Sequence, residues 1–291
     1  MANKIPKFDR PRVGLALSGG AARGIAHVGV LRALEENAIP IDAIAGASAG
    51  ALMGGLYASG LTISQIEELA RQFRWRHTAR FSFSRLGLQS NARMETFLCA
   101  HLPVTRFEEL KIPFAVMVTD LHPGTPIVLR DTGDVPFAIR ASACLPALYV
   151  PCRDEQGRLL VDGGLVANLP ISYARDLGAN IIIAVDVGAD GARFMEAPRT
   201  ALGVLTQTFV AVERIVSNQE SAKSDLIIIP KVGHIRWDET RRADELLQAG
   251  YDAAIESIDD IKRLIARHPL ARTADPQSSP RNPPPFALSL E

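Results

Sequence analysis

The chain has no surplus of either charge: Lys plus Arg number 32 and Asp plus Glu number 32. A protein that holds nucleic acid through its phosphates carries a basic excess, so that class is excluded unless a local patch supplies it. Cysteines are scarce, three in 291 residues, and Cys99, Cys144 and Cys152 lie far apart with no C-x-x-C pair. That excludes a disulfide framework and suits a reducing compartment. No apolar run approaches the ~20 residues of a membrane span. Met1 to Pro11 carries Lys4, Lys7, Asp9 and Arg10, where a secretory signal needs an unbroken apolar stretch. These absences predict a cytoplasmic protein, peripheral at most to the inner membrane face.

What is present is an apolar fraction of 47%, enough to bury a substantial core. Apolar, β-branched runs predict strands over 13–17, 41–45, 114–119, 127–129, 159–161, 181–187 and 226–229. Helix-period stretches fall at 25–37, after Ser48, at 62–73 with Thr62 and Gln65 as a capping box, and at 136–141, 170–177, 199–221 and 240–267. Continuous Ile and Val strands separated by helices imply a mostly parallel sheet covered on both faces. One domain over residues 1–270, with its core at about 10–268, is the expectation, followed by a flexible Pro-rich tail at 271–291.

The sharpest local pattern is Gly46-Ala47-Ser48-Ala49-Gly50 between a strand and a helix. A nucleophilic serine on a tight strand-to-helix turn needs small neighbours, and Gly46 and Gly50 let strand and helix approach. The same residues also fit a plain close crossing with a capping serine. A second loop, Ser18 to Gly24, follows the first strand; consecutive glycines there can aim backbone N–H groups at one point, an anion site of the oxyanion-hole kind. Arg23 can hold that loop or meet a phosphate. A dinucleotide site would need glycine at position 21, which is alanine, and a phosphate loop would end in Gly-Lys-Ser/Thr, which is missing. Asp162-Gly163-Gly164 ends a strand and reads as a base on the same rim or as an ordinary turn. A Ser–Asp–His order would leave His234 or His268, and neither sits in a glycine-rich or strand-end loop as convincing as that of Asp162. His27, inside the first helix, reads as packed or capping. A Ser/Asp dyad without histidine fits better.

Leu15 to Gly24 with His27 to Val30, the Gly46 to Gly50 elbow, Ala141-Ser142 with Leu145-Pro146, and Asp162-Gly163-Gly164 with Asn168 and Pro170 occur here in order. Together they resemble the patatin-like phospholipases, especially bacterial members and the neuropathy target esterase catalytic domain, over roughly residues 12–235. The resemblance implies a three-layer α/β/α sandwich and hydrolysis of lipid acyl esters, phospholipase A or lysophospholipase in type. It implies Ser48 as nucleophile, Asp162 as base, an oxyanion hole at Gly19, Gly20 and Ala21, Arg23 and Gly24 as loop-supporting or phosphate-binding, and neither metal nor organic cofactor. Ser18 departs from relatives that have a third glycine, and its side chain is expected to narrow the acyl entrance. Two rival functions stand: a carboxylesterase or thioesterase on soluble acyl groups, and an idle adaptor binding an anion in the glycine loop.

Between Glu68 and Glu95 there is no acidic residue, while Arg71, Arg74, Arg76, Arg80, Arg85 and Arg93 interleave with Phe73, Trp75, Phe81 and Phe83. Arginine with aromatics suits an anionic lipid surface. The alternative is a solvated helix end whose aromatics fill the core.

Overall fold

Every residue of Val13–Leu17 and of Ile181–Val185 is buried, as befits central strands covered on two faces. The computed structural model describes residues 10–74, 78–190 and 197–270; Trp75, Arg76 and the segment 271–291 lie outside the described residues. In chain order the elements are β1 (Val13–Leu17), α1 (Ala26–Glu36), β2 (Ala43–Ala47), α2 (Ala49–Ala58), α3 (Ile63–Gln72), β3 (Arg80–Phe81), β4 (Gly87–Ser90), α4 (Ala92–His101), β5 (Phe114–Asp120), β6 (Thr125–Arg130) and α5 (Val135–Ser142). There follow β7 (Ala147–Tyr149), β8 (Cys152–Arg153), β9 (Leu159–Asp162), the single turn α6 (Gly164–Ala167), α7 (Ile171–Asp176), β10 (Ile181–Val185), α8 (Ala201–Ser221), β11 (Leu226–Ile228), α9 (Ala243–Ile255) and α10 (Ile258–Arg267).

The main sheet runs β11-β10-β1-β2-β5-β9-β8, with β6 also on β5. From β11 to β5 all neighbours are parallel, whereas β6 and β9 join β5 antiparallel. Its two faces differ in bulk. Leu15, Leu17, Ile44, Val116 and Ile183 point into a core shared with α1, α2 and α9. Ala16, Ala43, Ala45, Ala115 and Ala184 point the other way, against Leu169 and against Ile171 and Ala174 of α7. Each fully buried Leu or Ile contributes about 1.5–3 kcal/mol, so the bulky face carries most of the adhesion, while the alanine face lets α7 pack closely. The α/β/α sandwich is the architecture.

Beside β5 two strands meet end to end. Because β6 occupies one edge of β5, β2 and β9 must share the other: Ala47 of β2 pairs with Met117 and Asp162 of β9 with Val118, the next residue along. β2 runs parallel to β5 and β9 antiparallel, so their C-terminal ends converge. Asp162 therefore does not share the rim of a parallel sheet with the elbow, as expected, but reaches Ser48 from a strand running the opposite way.

Other boundaries shift for local reasons. β2 begins at Ala43 because Asp42 turns its carboxylate to the N–H of Val13 and to Arg10, and it continues through Gly46 and Ala47 because β5 offers a ladder partner. The expected helix 240–267 is two helices; Ser257 opens the second, with Asp259 and Asp260 in its first turn, an N-terminal signature favoured by the helix dipole. Thr62 and Gln65 form the capping box of α3.

Candidate active site

Ser48 sits between β2 and α2 with φ 50° and ψ −117°, a backbone state disfavoured for a side-chain-bearing residue and held only by surrounding contacts. Those contacts are identifiable. Its N–H donates to Ser142 Oγ at 2.8 Å, and Ser142 Oγ donates to the Met117 carbonyl at 2.6 Å. A Cβ on Gly46 would stand 2.6 Å from the backbone of Gly50, and one on Gly50 would stand 2.2 Å from the Leu17 carbonyl. Only hydrogen at these two positions allows strand and helix to cross so tightly. Gly24 presses on Ala49 in the same way, at 2.3 Å.

Ser48 Oγ donates to Asp162 Oδ2 at 2.8 Å, while Asp162 Oδ1 accepts the Gly164 N–H at 2.9 Å. The Asp162 backbone is pinned from both sides, its carbonyl accepting from Thr119 Oγ1 and its N–H donating to the Cys144 carbonyl. Burial pushes the Asp162 carboxyl up to about 7, outweighing the hydrogen bonds from Gly164 and Ser48 that pull it down.

The glycine loop is placed less simply than its sequence suggests. The Gly19 N–H donates to Asn168, to Oδ1 at 3.1 Å and to the carbonyl at 3.3 Å, so it is not aimed into the cleft. Gly20 and Ala21 line the cleft beside Ser48, with φ 154° and 51° respectively. Ser18 is fully buried, and its hydroxyl bridges the ends of β1 and β10, accepting from the Val187 N–H at 3.0 Å. It does not narrow an entrance, and that expectation is corrected. Arg23 lines the cleft, with Nε donating to the Ile235 carbonyl at 2.7 Å.

The histidines divide as their positions suggest. His27 is fully buried, its Nε2 lies 2.9 Å from the Ser18 carbonyl, and burial holds it down at about 4. A neutral ring with its donor on a backbone carbonyl is structural. His234 pairs with Glu245 at the surface. Neither it nor His268 lines the cleft.

The cleft has a volume of about 400 Å³, within the range of small-ligand sites. Its apolar lining includes Leu52, Met53, Phe73, Met94, Leu145 and Leu148, and its charged lining includes Arg23, Asp186 and Arg214. Residues that sequence reasoning missed enter here from α8, chiefly Glu213 and Ser217. Ser217 Oγ accepts from Asn168 Nδ2 at 2.9 Å and so orients the amide that holds Gly19. Their four-residue spacing on a helix was the available signal, but acids and serines at that spacing ordinarily face water.

The arginine–aromatic stretch is split. Arg71 is tied to Glu67 and Asp244, Arg74 to the carbonyls of Arg71 and Phe73, and Phe73 lines the cleft. The hairpin β3–β4 instead projects outward, with Phe81 71% and Phe83 97% exposed, their rings edge to face at 5.3 Å. Leu86 and Leu88 are also exposed. β4 pairs with β7, which supplies Leu148 to the cleft wall, so the hairpin adjoins the mouth. Among the described residues no helix is long and apolar enough to cross a membrane.

Residues 15–175 match the family model described as patatin-like phospholipase. The chain is 36% identical over 183 residues to lysophospholipase nte1 of Neurospora crassa, covering 61% of this chain and 12% of that protein. It is 36% identical over 184 residues to patatin-like phospholipase domain-containing protein 7 of Rattus norvegicus, covering 61% and 14%. These relatives are thus several times longer than the matched segment. Among solved structures, VipD from Legionella pneumophila aligns over 87% of this chain and 67% of its own, at 16% identity and a TM-score of 0.48. The chain belongs to the patatin-like phospholipase family.

Proposed function

We propose that the chain is a serine lipid acyl hydrolase working through Ser48 and Asp162. The observation that carries the reading is the 2.8 Å hydrogen bond from Ser48 Oγ to Asp162 Oδ2 beside a deep apolar wall. Ionised Asp162 takes the Ser48 proton as Oγ adds to the ester carbonyl, and the N–H groups of Gly20 and Ala21 receive the oxyanion. Gly19 supports that pair through its bonds to Asn168 rather than donating itself. The carbon–oxygen bond to the alcohol then breaks, and Asp162 returns its proton to the leaving oxygen. Water adds to the acyl-enzyme, Asp162 accepts its proton, and the proton passes to Ser48 Oγ as the fatty acid departs.

The acyl chain lies along Leu52, Met53, Leu145 and Leu148, with the polar head toward Arg23 and Arg214. An apolar lining of this extent in residues favours a lipid over a small soluble ester, and the relatives named as lysophospholipases favour a single-chain phospholipid. Fluorophosphonate labelling separates hydrolase from adaptor: Ser48 should react, and Ser48→Ala and Asp162→Asn should release no fatty acid from a panel of lysophospholipids, phospholipids, triacylglycerols and short esters. Near-normal turnover by either variant overturns the dyad. Preference for short soluble esters selects the carboxylesterase alternative.

A peripheral membrane contact is the second part of the proposal, carried by the exposed Phe81 and Phe83 next to Arg80 and Arg85. Aromatics that dip into the lipid interface flanked by cations would bring the mouth to its substrate. Replacing both phenylalanines with serine should weaken sedimentation with anionic vesicles and leave short-ester hydrolysis intact; undiminished vesicle binding refutes it.

A further inference from the structure

Glu213 is an acid that the proposed reaction does not use, yet it lies in the same cleft as Ser48 and Asp162. The residue is only 9% exposed, and its carboxyl makes no hydrogen bond to any described residue. Two absent side chains make its niche. A Cβ on Gly164 would stand 2.5 Å from Glu213 Oε1, and one on Gly19 would stand 3.0 Å from it. The same Gly164 position is 3.2 Å from Asp162 Oδ1, which puts the two carboxyl groups within roughly 6 Å, inside the range where their charges interact strongly.

The groups facing Glu213 are Asp162 at the end of β9, Asp186 after β10, and Arg23 on the turn after the glycine loop; Arg214, its neighbour on α8, acts on Asp186. Burial and the two acids push the Glu213 carboxyl well above its ordinary range, and Arg23 opposes them less strongly.

We propose that Glu213, set in the niche between Gly19 and Gly164, stays protonated while Asp162 ionises, and that its own ionisation closes the working pH range on the alkaline side. The inference rests on the Ser48/Asp162 reading. A charge on Glu213 would stand against Gly19, next to the N–H groups that receive the oxyanion, and would oppose the negative charge forming there. At that separation the opposition lowers kcat/KM on the order of a hundred-fold.

The test is the pH profile of kcat/KM on an uncharged short-chain ester, wild type against Glu213→Gln. Wild type should rise through the Asp162 ionisation and fall at alkaline pH. Glu213→Gln, neutral and of the same shape, should keep the rise, remain within a few-fold at neutral pH, and lose the fall. An equal alkaline fall in both proteins overturns the proposal, as does a neutral-pH loss of about a hundred-fold. A second measurement needs neither turnover nor a folded Glu213 variant. Infrared spectra of the wild-type protein, grown with isotope-labelled glutamate, should show a protonated glutamate carboxyl band at neutral pH. Its absence overturns the proposal even if Ser48 proves to be the nucleophile. Its presence stands even if the ester chemistry is wrong.

Discussion

Asp162→Asn should inactivate the protein and make it more stable, by an amount that grows with pH. The carboxyl is 2% exposed and is held at about 7 against an ordinary 3.8, a difference worth about 4 kcal/mol. Below about pH 4 folded and unfolded chains both hold the proton, and the stabilising contribution of the neutral acid is fully present. As pH rises the unfolded chain releases its proton first, and the contribution is lost by the time pH has climbed through about 7. Asparagine does not titrate. It keeps both local bonds, with Oδ1 accepting from Gly164 N–H and Nδ2 donating to Ser48 Oγ.

Urea denaturation of both proteins between about pH 4 and pH 9 reads the difference directly. The gap in favour of asparagine should widen by about 4 kcal/mol over that range, most steeply between the two ionisations. Glu213 titrates in both proteins, and its repulsion with ionised Asp162, absent from the variant, can only widen the gap. A gap that stays flat, or that narrows as pH rises, would refute the claim that burial sets the Asp162 carboxyl.

Since the proposed base, Asp162, can take a proton only when ionised, kcat/KM on an uncharged ester should rise through about pH 7; a rise complete two or more pH units lower would mean another group limits the reaction. Ser142→Ala removes the acceptor of the Ser48 N–H and the donor to the Met117 carbonyl, and should lower stability by about 1–3 kcal/mol, with a fall in kcat rather than a rise in KM. Ser48→Gly and Ser48→Ala both lack the hydroxyl, but only glycine accepts φ 50° without strain. The glycine variant should therefore be the more stable by about 1–2 kcal/mol in thermal or urea melts, and equal stability would count against strain at the elbow.

Much of this site was legible because its parts are local. The elbow is five consecutive residues whose small size has one structural use, and the glycine loop follows β1 directly. What stayed hidden depends on pairing across the chain. The reversed direction of β9 follows from its ladder with β5, which no run of residues encodes. Gly19 reads as a donor until Asn168, 149 residues away, is seen to hold its N–H. Glu213 is disguised by its own chemistry, since an acid on a long helix ordinarily faces solvent. The hairpin misleads in the opposite way: Phe81 and Phe83 alternate as core residues would, yet stand outside, while Phe73 of the same stretch lines the cleft.

The convergence of β2 and β9 also supplies a physical reason why the proposed dyad would need no histidine base. Imidazole is useful because it titrates near neutrality unaided. A carboxylate in water is too weak a base at that pH to take a serine proton efficiently. Here the carboxylate comes from the end of a strand buried beneath α6, where desolvation lifts it to about 7. That lift would fail if a cation stood against it, and Arg23, which shares the cleft, has its Nε turned to the Ile235 carbonyl. A neighbouring acid kept neutral, as Glu213 is proposed to be, adds no charge at the oxyanion. The arrangement requires that burial be complete, and Asp162 is 2% exposed, with the single turn α6 as the layer that follows it directly. Opening that layer, for instance with a polar side chain at Ala167, which is 2% exposed, should lower the pH at which activity rises as well as the stability. If the variant folds and its acid limb stays at about pH 7, burial is not what tunes the base.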